Sequence, residues 1–278
     1  MKKLVYDGEF FNVADTLKSG QIFRYENYLD GYRVFSKNKE CFLKNEDNKV
    51  IIFSDDIDYF YKFFNLDYDY KKVYNFAVNY DNEIIRLSAQ KCKGVRILKQ
   101  DLLETVISFI ISQNNNIPKI TKSLNYLCQK YGQKTNSQRG EFFSFIDQKN
   151  LSLITEEDFK NSGVGYRASY LYNLVNEIKN GLDFNLLSNL STKEIYENLI
   201  KIKGIGDKVA NCILLFGYNK YNSFPVDVWI EKWYLKDFNG TLKDRAKISE
   251  FFINEFKEYS GIIQQYLFYY KRSLEEKK

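Results

Sequence analysis

The chain has 278 residues, 44% apolar and 28% charged, with a formal net charge of +5. That length and balance describe a folded protein with room for two domains and a sizeable core. Histidine is absent, which excludes Ser–His and Cys–His nucleophilic systems, histidine general bases and histidine metal ligands.

Residues 1–70 read mostly as strands. QIFRYENY, GYRVFSK, KECFLK and KVIIFS are short runs of aromatic and β-branched residues, separated by the turns LDG, KNK and NEDN. An antiparallel meander is expected. DDIDYFYKFF then reads as a helix capped by Asp55 or Asp56. From about residue 72 the pattern turns helical. VYNFAVNYDNEIIRLSAQ has helical spacing, and KGVRILKQ links it to DLLETVISFIIS. There Asp101 and Glu104 form a capping-box variant. This helix is apolar nearly all round, so it should be buried.

Asn114–Asn116 and Pro118 end that helix, as a cap and turn or as a binding edge. IPKITKSLNYLCQKYG is an amphipathic helix stopping at Gly132. GEFFSFIDQ and TEEDFKNS read as short helices or turns. GVGYRASYLYNLVNEIKNG is a glycine turn and a helix ended by Gly181. Two late helices lie in KDRAKISEFFINEFKEYS and GIIQQYLFYYKRSLEEKK. The reading is α+β: an N-terminal antiparallel sheet domain, residues 1–98, packed on a larger all-helical domain, residues 99–278.

Bulk features narrow the setting. Cys41, Cys92, Cys128 and Cys212 form no C-x-x-C, and their separations fit no zinc or iron–sulfur pattern. Isolated cysteines and an N-terminus that meets Asp7 and Glu9 before any apolar core point to a reducing cytosol. No apolar run approaches membrane-spanning length. Residues 91–139 carry nine Lys/Arg against Asp101 and Glu104, which suits a polyanion-facing surface or solvated helix faces. Aromatics reach 17%; core packing and base stacking both use them.

One stretch carries the chemistry: EIYENLIKIKGIGDKVANCILLFGYNKYNSFPVDVW, residues 194–229, a helix–turn–helix–loop pattern. Gly204 and Gly206 bracket Ile205 in a turn that small residues make cheaply. The helix start that follows presents unpaired N–H groups, a seat for a phosphate. Lys208 could contact the backbone electrostatically, or attack a sugar C1′ as a neutral amine and leave a Schiff base. Asp227 stands where it can cap a helix and stabilise an oxocarbenium-like transition state.

LIKIKGIGDKVANCILLFGYNK…FPVDVW resembles the helix–hairpin–helix–Gly/Pro–Asp signature of DNA glycosylases, and its hairpin lysine resembles that of members that are also lyases. SGQIFRY, KGVRILKQD, SQNNNIPKI, GVGYRASY and GIIQQYLF resemble, in order, segments of the 8-oxoguanine DNA glycosylase family of eukaryotic type. The resemblance implies excision of 8-oxoguanine from duplex DNA through a Lys208 Schiff base with strand cleavage by β-elimination, by a monomer needing no redox cofactor or catalytic metal.

It also implies roles. Lys208 matches the nucleophile and Asp227 the catalytic carboxylate. Gly20 matches the residue whose carbonyl accepts N7–H of the oxidised base. Cys212 and Phe268 match the walls around the flipped base, and Gln264 a reader of its Watson–Crick edge. Asn114, Tyr166 and Arg167 match residues that fill the gap, wedge the duplex and contact the orphaned cytosine. Lys119 stands where the family usually has a second arginine, and Trp229 where a histidine is common. The alternatives are a glycosylase for an alkylated purine or oxidised pyrimidine, and a helix–hairpin–helix module that only holds DNA.

Overall fold

A computed structural model describes residues 1–275. The last three residues of the expected C-terminal helix lie outside the described residues. Five strands, β1 (Lys2–Asp7), β2 (Tyr25–Tyr28), β3 (Gly31–Ser36), β4 (Lys39–Glu46) and β5 (Lys49–Ser54), form one antiparallel sheet in the order β1-β5-β4-β3-β2. The β4–β5 turn has Asp47 and Asn48 at φ 47° and 59°, the paired left-handed geometry that matches strand twist and favours Asn and Asp.

Val50 and Ile52 of β5, with Cys41 and Leu43 of β4, face one side of the sheet. That side is covered by α1 (Val13–Lys18) through Val13 and Leu17 and by α2 (Ile57–Phe63) through Phe60 and Phe63, making one apolar cluster. Asp56, not Asp55, caps α2, accepting the Tyr59 N–H at 3.0 Å.

Two of these elements were not foreseen. β1 is a six-residue edge strand whose register comes entirely from β5, through pairs such as Leu4 with Ile52. α1 is short and polar on one side, although Asn12 capping the Asp15 N–H is a readable start signal. Conversely, QIFRYENY is strand only from Tyr25; the residues before it form the loop that reaches the pocket.

The helical region begins with α3 (Tyr70–Val78) and α4 (Glu83–Lys91), one expected helix broken at Asn79–Asn82. α5 (Leu102–Ser112) is the buried central helix; Glu104 through Ile111 are all buried. Asp101 caps it by accepting the Glu104 N–H at 3.0 Å. The Glu104 carboxylate does not close a capping box: it pairs with buried Arg24 at 3.3 Å and accepts the Lys37 N–H, joining the helix to the sheet side.

Next come α6 (Ile117–Tyr131), a hairpin of β6 (Lys134–Ser137) and β7 (Gly140–Phe143), α7 (Gln148–Leu151), α8 (Glu156–Asn161) and α9 (Arg167–Lys179). The hairpin corrects the expectation of an all-helical second domain. Its strands are four residues each and KTNS is polar, so no alternating apolar pattern announces it. α10 (Phe184–Leu187), α11 (Thr192–Leu199), α12 (Asp207–Phe216), α13 (Val228–Asp237), α14 (Arg245–Phe256) and α15 (Ser260–Glu275) complete the chain. A second apolar cluster runs through α3–α6, α9 and α11–α15. Among the described residues no helix is long and apolar enough to cross a membrane.

Candidate active site

α11 and α12 are joined by the expected glycine turn. Gly204 has φ +97°, and a Cβ there would fall 2.5 Å from Cβ and Cγ of Tyr170 on α9. Only glycine meets both conditions. Gly206 is the N-cap of α12, offers no side-chain acceptor, and has open space where a Cβ would stand. The first-turn N–H groups of α12 are therefore left for an external acceptor such as a phosphate.

Lys208 is the second residue of α12 and is half-buried. Its Nζ lies 5.4 Å from the ring centre of Phe109 on α5, which stacks on Phe216 at 5.3 Å with the planes 8° apart. Cys212 follows one turn later on the same face, 3% exposed. Burial pushes its thiol up, against the opposing charge and hydrogen bond of Lys208, so the wall stays uncharged at neutral pH. Asp227 is the N-cap of α13: its Oδ1 accepts the N–H groups of Trp229 at 3.0 Å and Ile230 at 2.9 Å. These two backbone donors fix the position of the carboxylate at the helix start.

α15 supplies the opposite wall. Gln264 and Phe268 sit one turn apart on it. The Gln264 Nε2 donates to the Pro225 carbonyl at 3.1 Å, while its Oε1 is buried with no hydrogen-bond partner among the described residues. Gly20, in the loop between α1 and β2, has φ +87°, and a Cβ there would come within 3.3 Å of Phe268 Cε1.

One pocket is lined by Gly20, Lys208, Cys212, Asp227, Gln264 and Phe268, together with Phe109, Phe216, Pro225 and Gln265. The first six were singled out from the sequence; the last four were not. Phe109 and Phe216 lie in continuous apolar runs, where nothing distinguishes a pocket wall from core. Pro225 was readable, two residues before Asp227, but its service as acceptor for Gln264 needs the fold.

The remaining expected residues gather on a second edge. Asn114, between α5 and α6, is exposed with φ +46°. Tyr166, the N-cap of α9, is 55% exposed, and its ring meets Tyr170 edge-on at 5.8 Å. Lys119 is exposed at the third position of α6. Arg167, which the resemblance matches to a residue contacting the orphaned cytosine, is 7% exposed. Its Nε and Nη2 donate to the Gln113 carbonyl, Nη2 also to that of Asn114 at 2.8 Å, and Nη1 to that of Val164 at 2.9 Å. The Gln113 side chain in turn donates to the Gly204 carbonyl at 2.9 Å. This edge is thus tied to the hairpin.

Comparisons with known proteins show which family has this architecture. Residues 3–106 match the family model of the 8-oxoguanine DNA glycosylase N-terminal domain, and residues 107–257 match that of HhH-GPD superfamily base excision DNA repair proteins. The crystal structure of the 8-oxoguanine glycosylase/lyase of Clostridium acetobutylicum, in complex with duplex DNA containing cytosine opposite 8-oxoguanine, is 33% identical in sequence. It superposes with a TM-score of 0.90, covering 96% of this chain and 93% of that one.

The chain belongs to the 8-oxoguanine DNA glycosylase family. Within the family, the N-glycosylase/DNA lyase OGG1 of Arabidopsis thaliana is 34% identical over 192 residues, 65% of this chain and 53% of the plant protein. The match therefore spans about half the length of that relative. The N-glycosylase/DNA lyase of Saccharomyces cerevisiae is 29% identical over 268 residues, covering 85% and 70% of the two chains.

Proposed function

We propose that this glycosylase-family protein flips 8-oxoguanine out of duplex DNA, releases it, and cuts the strand at the resulting abasic site. The observation that carries the reading is the convergence of Gly20, Lys208, Cys212, Asp227, Gln264 and Phe268 on one pocket. Extrusion is required because C1′ and the base edges are inaccessible within the stack. The Lys208 amine attacks C1′ as the N-glycosidic bond breaks, its electrons leaving with the base. Asp227 stabilises the positive charge that develops on the sugar. The resulting aminal opens at its C1′–O4′ bond, O4′ taking the proton shed by the amine, to give the Schiff base, which loses a C2′ proton and the 3′ phosphate by β-elimination.

Selection rests on single groups. The Gly20 carbonyl accepts N7–H of the oxidised base and repels the N7 lone pair of guanine. The orphaned Oε1 of Gln264 is an acceptor awaiting an N–H of the base edge. Cys212 and Phe268 sandwich the ring. Tyr166 wedges the duplex and Asn114 fills the vacated gap. Arg167 contacts the orphaned cytosine from its anchored position, and Lys119 adds charge without a fork. The lining residues all belong to one chain, which suits action as a monomer, and we place it in the cytoplasm, at the nucleoid if the cell is prokaryotic.

Incubation with a duplex carrying 8-oxoguanine opposite cytosine, under borohydride, tests the reading. A covalent protein–DNA adduct, free 8-oxoguanine and a nicked strand are expected. Release of an alkylated purine or oxidised pyrimidine with none of 8-oxoguanine would replace this reading by the second. Each base placed opposite the lesion measures how far Arg167 and Lys119 read the partner strand. Gly20→Ala should reduce excision at least tenfold: the left-handed backbone costs about 1–2 kcal/mol for a side-chain-bearing residue, and the new methyl crowds Phe268. Equal excision rates for Gly20→Ala and wild type would remove Gly20 from the pocket's account.

A further inference from the structure

The Gly20 carbonyl can select a base only if its direction is fixed, and glycine is the residue least able to fix its own backbone. The residues on both sides of Gly20 are clamped. On the far side, the buried Gln21 side chain donates to the Arg96 carbonyl at 2.7 Å and accepts the Leu98 N–H at 2.8 Å, and the Gln21 carbonyl accepts Gln100 Nε2 at 2.8 Å. On the near side, the Ser19 carbonyl accepts Gln265 Nε2 at 2.8 Å. Gln265 is 2% exposed and lines the pocket. It lies on α15 beside Gln264 and three residues from Phe268, so one helix carries a base wall, an open acceptor and the clamp on the selecting loop.

We propose that Gln265 is a specificity-determining positioning residue: its amide holds the Ser19–Gly20 peptide in register with the Gln264 and Phe268 side of the pocket. Resting on the function proposed above, it deepens that reading. A carboxamide donor there cannot be replaced by an apolar side chain without leaving the Ser19 carbonyl buried and unpaired. The loop then moves or admits water, and the neighbouring carbonyl turns with it.

The clamp acts on base selection, so it should affect base release and spare cleavage at a preformed abasic site, which contains no base to place. Gln265→Met keeps the length and removes the donor. Gln265→Glu keeps the shape and sets an acceptor against an acceptor. Each is expected to lower 8-oxoguanine excision about tenfold or more while abasic-site cleavage stays within about twofold of wild type. Excision that matches wild type in both variants would overturn the proposal. So would a parallel fall in both activities, which is what general loosening of the fold produces. Wild type in the same assay separates the two claims: if it releases no 8-oxoguanine, the functional reading fails; if it does, only the clamp is on trial.

Discussion

Lys208→Gln is expected to abolish the borohydride-trapped adduct and to slow 8-oxoguanine release by on the order of a thousandfold or more, since no second amine completes the reaction. Glutamine is one bond shorter and uncharged, so it gives up the ammonium contact with Phe109, worth about 1 kcal/mol, and the melting temperature should fall only slightly. The partner experiment is Asp227→Asn. Asparagine is as good an N-cap as aspartate, so the bonds to the Trp229 and Ile230 N–H groups can persist. Only the negative charge is lost. A fall of about a hundredfold or more at unchanged stability assigns Asp227 to the transition state; a fall in stability with little change in rate reduces it to a cap. An adduct that forms undiminished with Lys208→Gln would move the nucleophile elsewhere.

Arg96→Met should destabilise the protein by about 3–5 kcal/mol, a large part of the roughly 5–15 kcal/mol that holds a typical domain folded. Arg96 is 1% exposed and its Cζ sits 4.1 Å from the ring centre of Tyr70. Its guanidinium donates to the carbonyls of Phe64 and Phe10, each at 3.0 Å, to that of Tyr68 at 3.3 Å, and to that of Asn65. Methionine fills the space but leaves those carbonyls without their donors. The measurement is the denaturant midpoint, and a shift worth under about 1 kcal/mol would contradict this account. The Arg96 carbonyl also receives the Gln21 side chain, so surviving Arg96→Met protein should bind the damaged base poorly as well.

The legibility of the site in the sequence follows from how local each signal is. Gly204, Gly206, Lys208, Cys212 and Asp227 fall within two dozen residues, where turn chemistry and helical spacing place them without a fold. The resemblance added Gly20, Gln264, Phe268 and the role of Cys212, and the structure puts these four with Lys208 and Asp227 on one pocket. KGVRILKQD was recognisable as a motif but had no reason attached; Arg96 and Gln100 supply it by bracing Gln21. What escaped is non-local. β1 exists because β5 offers it an edge, the polar hairpin of β6 and β7 has no periodicity to betray it, and Gln265 is one more buried amide until its partner, nearly the whole chain away, is known. The inward Arg167 escaped for the same reason, since the carbonyls that hold it belong to another turn.

Those carbonyls bear on how the duplex and the protein share deformation. Tyr170 packs against Gly204 too closely to admit a methyl group, Tyr166 rests on Tyr170, and Arg167 and Gln113 bridge the wedge to the hairpin. On the function proposed above, the probe and the helix that carries the amine are thus joined through one contact network, like the two arms of a caliper. Compliance must come from the DNA, which kinks and unstacks most readily where pairing is already weak. On that reading, search along intact duplex is a mechanical test repeated at each step, in which the yielding of the substrate decides which nucleotide reaches the pocket.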